Sequence, residues 1–412
     1  MRCQSPHTDG SPFEGCPRCR AEGVVSNFTP AYDLAAARRE LDRDALANGR
    51  PGMWRYAGLL PVDASYAVSL NEGGTPLIAC ERLGQRLGLD RLYVKDESRN
   101  PTASFKDRMA SVVVSKAREI GAWAVTISSS GNAGAALAAY AARAGLDCIV
   151  FTYGSAALAM KVQMQAVGAK LVTTPTAVDR WTLMRACVER YGWYPASNYL
   201  DPPVGSNPYG VDAYKTIAYE IAEDLDWEAP NHVLYPVCYG DGLWGGVKGW
   251  LEMRELGWVA ALPRVHAGEV WGSISSALAS GDEMPARTLG GPTVGISIGA
   301  SQSTYQAVQA VRRVSGSAGA VSDAEMLAMQ KLLAETEGIF AEASSTPSLV
   351  LAERLRREGV INASETVVAV VTASGLKDPE LAASQLGDPP LVQPDIEDLR
   401  RVLREAYALD LP

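Results

Sequence analysis

The stretch 94-VKDESRNPTASFKDRMA-110 contains, in seventeen residues, the unit from which the rest of the chain is built. Its first residues close a short β-forming run. Asn100-Pro101 then ends that run, because the residue before proline is pushed out of helical geometry. Ser104 or Asp107 is placed to cap the helix that follows. Lys106 thus falls at a strand-to-helix junction. Taken singly it reads as a solvated charge in a turn, since most lysines are solvated.

Outward from this unit the same alternation repeats. Apolar runs at 91–95, 123–128, 147–153, 170–174, 232–237 and 366–372 read as strands. Amphipathic segments at 107–120, 133–144, 212–226, 243–256, 323–337 and 346–358 read as helices, the first two closed by Gly121 and Gly145. Strands alternating with helices predict an α/β fold, a mostly parallel sheet covered on both faces. At 412 residues, and about 150 residues per domain, two or three domains are expected. The Pro-, Asn- and Gly-rich stretch 195-PASNYLDPPVGSNPYG-210 reads as a linker between lobes. The first fifty residues, with a Cys- and Pro-containing start and a charged helix over 31–46, read as an appendage.

Composition narrows the function. The chain is 47% hydrophobic and 21% charged, which suits a globular protein. Its longest apolar runs fall far short of the roughly 18 residues that cross a bilayer, and its start lacks the charged-then-apolar order of a secretory signal. No membrane partner and a cytoplasmic location are expected. A net charge of −9 without a basic stripe argues against nucleic acid as a partner. Seven cysteines, an odd number, do not resemble a disulfide framework.

Three further stretches carry polar chemistry. In 126-TISSSGNAGAALAAYAARAG-145, Ser129, Ser130, Gly131 and Asn132 stand at a helix N-terminus, where free N–H groups favour an anionic ligand. The same residues read equally as a well-capped turn. In 233-VLYPVCYGDGLWGGVKGW-250, Gly240, Gly242 and Gly245 match the dinucleotide pattern GxGxxG. The acidic residue that pattern wants at the end of the next strand is absent, since Glu252 and Glu255 lie in the following helix. What remains is a glycine loop whose amides can cradle a phosphate. In 371-VTASGLKDP-379, Thr372 ends a strand, at the sheet edge where open α/β folds bind ligands, or serves local capping.

Together these stretches resemble the threonine synthase branch of the fold-type II pyridoxal-phosphate enzymes, the tryptophan-synthase-β-like superfamily. The resemblance runs from about Trp54 to Asp378 and is carried by 72-EGGTPL-77, 95-KDESRNPTASFKDR-108, 129-SSGN-132, 208-PYGVDAYKT-216, 337-EGIFAEASS-345 and 372-TASGLKDP-379. It implies two lobes, each a mostly parallel sheet flanked by helices: a small one over 106–207 and a larger one over 53–105 plus 208–390. Residues 1–52 would precede them and a helical tail over 391–412 would follow. It also implies a homodimer.

The resemblance implies residue roles as well. Lys106 would carry pyridoxal phosphate as a Schiff base and act as the catalytic base. Asn132 would face the 3′-oxygen of the ring. Gly240, Asp241, Gly242 and Leu243 would bind the cofactor phosphate through backbone N–H groups. Thr372 would meet the pyridine nitrogen with a neutral hydroxyl, which favours elimination and replacement over transamination. Thr102, Ser104, Ser129, Ser130, Gly131 and Arg108 would contact the amino-acid substrate.

Departures cluster where a substrate phosphate would sit. Ala103 and Met109 stand where the family commonly has glycines, and Ala133 where it has threonine. Gly210 and Ser297 stand where it often has arginines, and Ser374 where it has histidine. Cys238, Tyr239 and Asp241 partly replace its phosphate-loop glycines. Losing a bidentate arginine is not conservative for phosphate recognition. Arg108, Lys95, Lys161, Lys215 and Arg264 remain as anion contacts or surface charges.

The implied reaction is elimination or replacement on an activated amino acid, O-phosphohomoserine plus water giving threonine and phosphate. Cysteate-synthase-like β-replacement on O-phosphoserine, a serine or threonine ammonia-lyase, and a cofactor-binding sensor without turnover are the alternatives. At the N-terminus Cys3, His7, Cys16 and Cys19 form C-x3-H-x8-C-x2-C, either a zinc-ribbon-like structural zinc site or a metal-free tail.

Overall fold

The computed structural model describes residues 1–7, 11–49, 51–154 and 156–411. Among these residues ten strands, β1 Leu77–Ala79, β2 Arg91–Asp96, β3 Ala124–Ser128, β4 Asp147–Tyr153, β5 Lys170–Thr174, β6 Tyr194–Pro195, β7 His232–Pro236, β8 Arg264–Glu269, β9 Ala318–Ala320 and β10 Thr366–Val371, form two sheets. The larger has the order β1-β2-β10-β7-β8-β9, and the smaller β5-β4-β3-β6. Among these ten strands only β1 runs antiparallel to its neighbour. The α/β expectation holds.

Parallel strands flanked by helices are buried on both faces, so their sequences read as unbroken apolar runs. Strand β10, 366-TVVAVV-371, is buried at every position and lies between β2 and β7 in the middle of its sheet. In the smaller sheet β3 and β4 are similarly closed in. The helix Asn132–Ala144 follows β3 and is built on alanine, whose small side chains let its buried face approach the sheet closely. Gly145 ends it in the left-handed conformation, as its position predicts.

The structure corrects several local expectations. The charged segment 31–46 is two short helices, Leu34–Glu40 and Arg43–Ala47. The helix expected over 212–226 begins earlier and divides into Pro208–Ala213 and Lys215–Asp224. Neither Ser104 nor Asp107 caps the helix Lys106–Glu119, whose N-cap is Phe105. Asp107 instead turns back to accept from the N–H and hydroxyl of Thr102, fastening the loop that precedes the helix.

The chain forms two compact units, 1–377 and 378–412. The second holds the helices Pro379–Ala383 and Ile396–Tyr407, the latter capped by Asp395.

Candidate active site

The loop 101–105 docks on the end of β10. Phe105 N–H donates to the Thr372 carbonyl at 2.9 Å, Ser374 N–H donates to the Ala103 carbonyl at 3.1 Å, and Ser104 pairs with Ala373 as an antiparallel bridge. These bonds set Lys106, the first residue of its helix, beside Thr372. Its Nζ lies 4.4 Å from the Phe105 ring centre and 5.5 Å from that of Tyr214. Burial against these rings lowers its pKa below the usual lysine value, against the opposing pull of Asp241, Cys238 and Glu342. No carboxylate forms an ion pair with it among the described residues.

Lys106 opens onto a cleft of about 530 Å³, whose walls also hold 128–133, 236–243, 296–302 and Thr372. That is the size of a small-molecule site, roughly 300–1,000 Å³. At one end, Gly240 takes φ +91° and starts the helix Asp241–Leu256, so the N–H groups of Asp241, Gly242 and Leu243 lack helical partners. A Cβ at Gly240 would stand 2.3 Å from Ala307 Cβ, and one at Gly242 2.7 Å from the Phe105 ring. The Asp241 carboxylate is turned away to Ser206, accepting from its hydroxyl at 2.6 Å and its N–H at 3.2 Å. The loop therefore presents backbone donors to the cleft, as a phosphate cradle requires.

At the sheet edge Thr372 Oγ1 lies 2.9 Å from Ser345 Oγ, a pair of neutral hydroxyls. Opposite, the turn before the helix Asn132–Ala144 is held by Ser129, whose hydroxyl accepts from Gly131 and Gly134 N–H at 3.2 and 3.1 Å. Ser130 donates to the Tyr153 hydroxyl at 3.1 Å. Asn132 Nδ2 donates to Glu342 at 2.6 Å, and its buried Oδ1 has no partner among the described residues. Glu342 also accepts from Ser297, and burial raises its pKa above the usual carboxylate value.

A desolvated lysine amine, a glycine cradle of free N–H groups, a neutral hydroxyl pair and an amide with an open acceptor suit a phosphorylated aromatic aldehyde. The residues present fit pyridoxal phosphate.

Lys106, Ser129, Ser130, Gly131, Asn132, Gly240, Asp241, Gly242, Leu243 and Thr372 thus line one cleft. The other expected contacts lie elsewhere. Thr102 is buried against Asp107, and the buried Ser104 hydroxyl has no partner among the described residues. Arg108, fully buried, is locked by charge-assisted bonds to Glu97 and Glu220, each at 2.7 Å. Its place as a substrate contact is corrected: the guanidinium is taken up by two carboxylates and does not line the cleft. Lys95 pairs with Glu220 and Asp224, and Lys215 with Asp212 and Glu252, both buried. Lys161 donates to the Gly154 carbonyl and Arg264 to that of Ser315. None of these four lines the cleft.

Glu342 was not singled out from the sequence, although it stands within 337-EGIFAEASS-345. Tyr153, Arg180 and Arg287 also line the cleft without any local motif to mark them.

At the N-terminus the sulfur atoms of Cys3, Cys16 and Cys19 lie within 4.8 Å of one another. His7 is outside this group: its exposed ring packs on Phe28 at 4.5 Å between centres. The expected four-ligand set is thereby corrected to three converging thiols.

Residues 68–373 match the family described as pyridoxal-phosphate dependent enzyme, and the chain belongs to that family. Within it the chain is threonine synthase-like. It is 35% identical to a threonine synthase of Methanocaldococcus jannaschii over 94% of this chain and 95% of that one. It is 34% identical to a threonine synthase of Methanosarcina acetivorans over 98% and 97%. In fold it is similar to threonine deaminase isoform 2 of Solanum lycopersicum, with a TM-score of 0.67 at 17% identity, over 93% of this chain and 98% of that one.

Proposed function

We propose that the chain converts an activated, O-phosphorylated amino acid by elimination and replacement, releasing phosphate from O-phosphohomoserine and adding water to give threonine. The observation that carries this reading is the Lys106 amine, desolvated and without an ion-pair partner among the described residues, set between a phosphate cradle and a neutral hydroxyl pair.

When bound, pyridoxal phosphate supplies an electron sink for the α-carbon of an amino acid. The N–H groups of Asp241, Gly242 and Leu243 would hold its phosphate, and Thr372 would stand at the ring nitrogen. Ser345 keeps the Thr372 hydroxyl oriented. Asn132 would flank the 3′-oxygen, with Glu342 holding the amide in place. The turn at Ser130 and Gly131 would receive the substrate carboxylate on the N–H groups of Asn132 and Ala133 at the helix N-terminus. Lys106, neutral at a lower pH than a solvated lysine, would take the α-proton.

The replacement of two expected arginines by Gly210 and Ser297 favours a second reading, β-replacement on O-phosphoserine. Assay of phosphate release from both compounds, with the amino-acid product identified, tests the pair. Threonine from O-phosphohomoserine supports the first reading. Phosphate released from O-phosphoserine alone supports the second, and release from neither by cofactor-loaded protein contradicts both.

A homodimer and a reducing, cytoplasmic setting accompany this reading. The resemblance supports the first and the free cysteines the second. Light scattering measures the first. Among the described residues no helix is long and apolar enough to cross a membrane.

A further inference from the structure

The described residues lining the cleft include three cationic side chains, Lys106, Arg180 and Arg287. Arg180 stands in the first turn of the helix Ala177–Tyr191, its guanidinium carbon 4.8 Å from the Tyr153 ring centre. Tyr153 in turn accepts the hydrogen bond from Ser130. One tyrosine ring therefore separates Arg180 from the turn assigned to the substrate carboxylate. Arg287 enters from the segment before 296–302, pairs with Asp201, and lies 3.4 Å from Gln302 Oε1. Asp201 and Gln302 line the same cleft.

The positions from which arginines were expected are closed to that role. Gly210 faces Met109, and Ser297 donates to Glu342. Besides Lys106, the positive charge that a substrate's side-chain anion can meet among the described residues lining the cleft is that of Arg180 and Arg287.

We propose that Arg180 and Arg287 form the anion-recognition wall of this cleft and select an amino acid bearing a phosphate ester on its side chain. Asp201 is the counter-ion that holds Arg287 until that ester displaces it. Two guanidinium groups match a phosphate dianion through paired N–H donors. The inference rests on the amino-acid-site reading above and names which residues set its substrate class.

The test is titration of the visible absorption band of the cofactor-loaded protein with O-phosphohomoserine, O-phosphoserine, homoserine and serine. Arg180→Met and Arg287→Met are each expected to weaken binding of the phosphorylated pair by about tenfold to a hundredfold. Binding of homoserine and serine should stay within about twofold, which also shows the variants folded. Asp201→Asn should tighten the phosphorylated pair, an effect that a merely structural arginine does not produce. A second arm uses inorganic phosphate as probe on the loaded protein, whose cofactor-phosphate site is filled. Thermal stabilisation by phosphate should be present in the parent and lost in the double arginine variant.

Equal weakening of charged and neutral amino acids, or no weakening of the charged ones, overturns the proposal and leaves the elimination reading standing. Failure of every amino acid to perturb the parent's band overturns the amino-acid-site reading instead. The phosphate arm then decides the anion wall by itself.

Discussion

Met109 fills the space from which any side chain at residue 210 would have to start: a Cβ added to Gly210 would come within 2.7 Å of Met109 Cγ and 2.5 Å of Val113 Cγ2. The two departures from the family pattern are thus one packing solution, made where the helices Lys106–Glu119 and Pro208–Ala213 meet. Both residues are buried.

This relationship predicts that Gly210→Arg does not restore an anion grip. It should destabilise the protein by about 1–3 kcal/mol through overpacking. Combined with Met109→Gly, the pair should cost less than the sum of the two single changes, by about 0.5–3 kcal/mol. Denaturant unfolding of the four proteins in the cycle measures the coupling.

Ala103 sits at φ +60°, in the left-handed region that a Cβ disfavours. Its carbonyl accepts from Ser374, so the loop cannot relax without loosening the docking of Lys106 beside Thr372. Ala103→Gly should therefore stabilise the protein by about 0.5–1 kcal/mol, the relief of strain being partly offset by the greater freedom of glycine in the unfolded chain. Chemical denaturation checks the sign.

Burial lowers the pKa of Lys106 in the folded, cofactor-free protein. The unfolded chain then binds the proton over a range where the folded chain does not, so stability rises with pH from the folded value towards the ordinary lysine value. Lys106→Met removes that linkage. The variant should be more stable than cofactor-free parent at pH 7, by about 1.4 kcal/mol for each tenfold change in the proton's dissociation constant. The difference should shrink as pH approaches 10, as denaturation of both proteins at the two pH values would show.

Three thiols converge at the N-terminus while His7 packs on Phe28. Zinc, if bound there, should depend on the cysteines alone among these four residues. Cys19→Ser should abolish stoichiometric zinc in the purified protein and His7→Ala should leave it unchanged, with metal content read by atomic absorption.

How far the sequence alone led depended on whether a residue's role was local. Strand β10 was legible because a strand buried on both faces must be apolar throughout. Strand β8, 264-RVHAGE-269, was not: His266 and Glu269 satisfy their polarity by tertiary bonds, to Ser317 N–H and His232 in one case and to 274–275 N–H groups in the other. Strands β6 and β9, Tyr194–Pro195 and Ala318–Ala320, are too short and too poor in β-branched residues to announce themselves. In the cleft, Lys106, Asn132 and Thr372 stood in stretches with a readable turn or sheet edge. Glu342, Arg180 and Arg287 come from unrelated segments, and only the closed fold brings them together.

Lys106 is the lysine expected to hold pyridoxal phosphate, and borohydride reduction of the loaded protein followed by peptide mapping reads which amine does. Reduction fixes the pyridoxyl group on whichever amine bears it. Lys377 is the informative rival, buried, with a pKa lowered to about 8 by burial and its Nζ donating to Gln163 at 2.6 Å. A pyridoxyl group on the peptide containing Lys106, absent from Lys106→Ala, is the predicted result. A label on Lys377 or any other lysine, or none on protein incubated with pyridoxal phosphate, would overturn the assignment of Lys106.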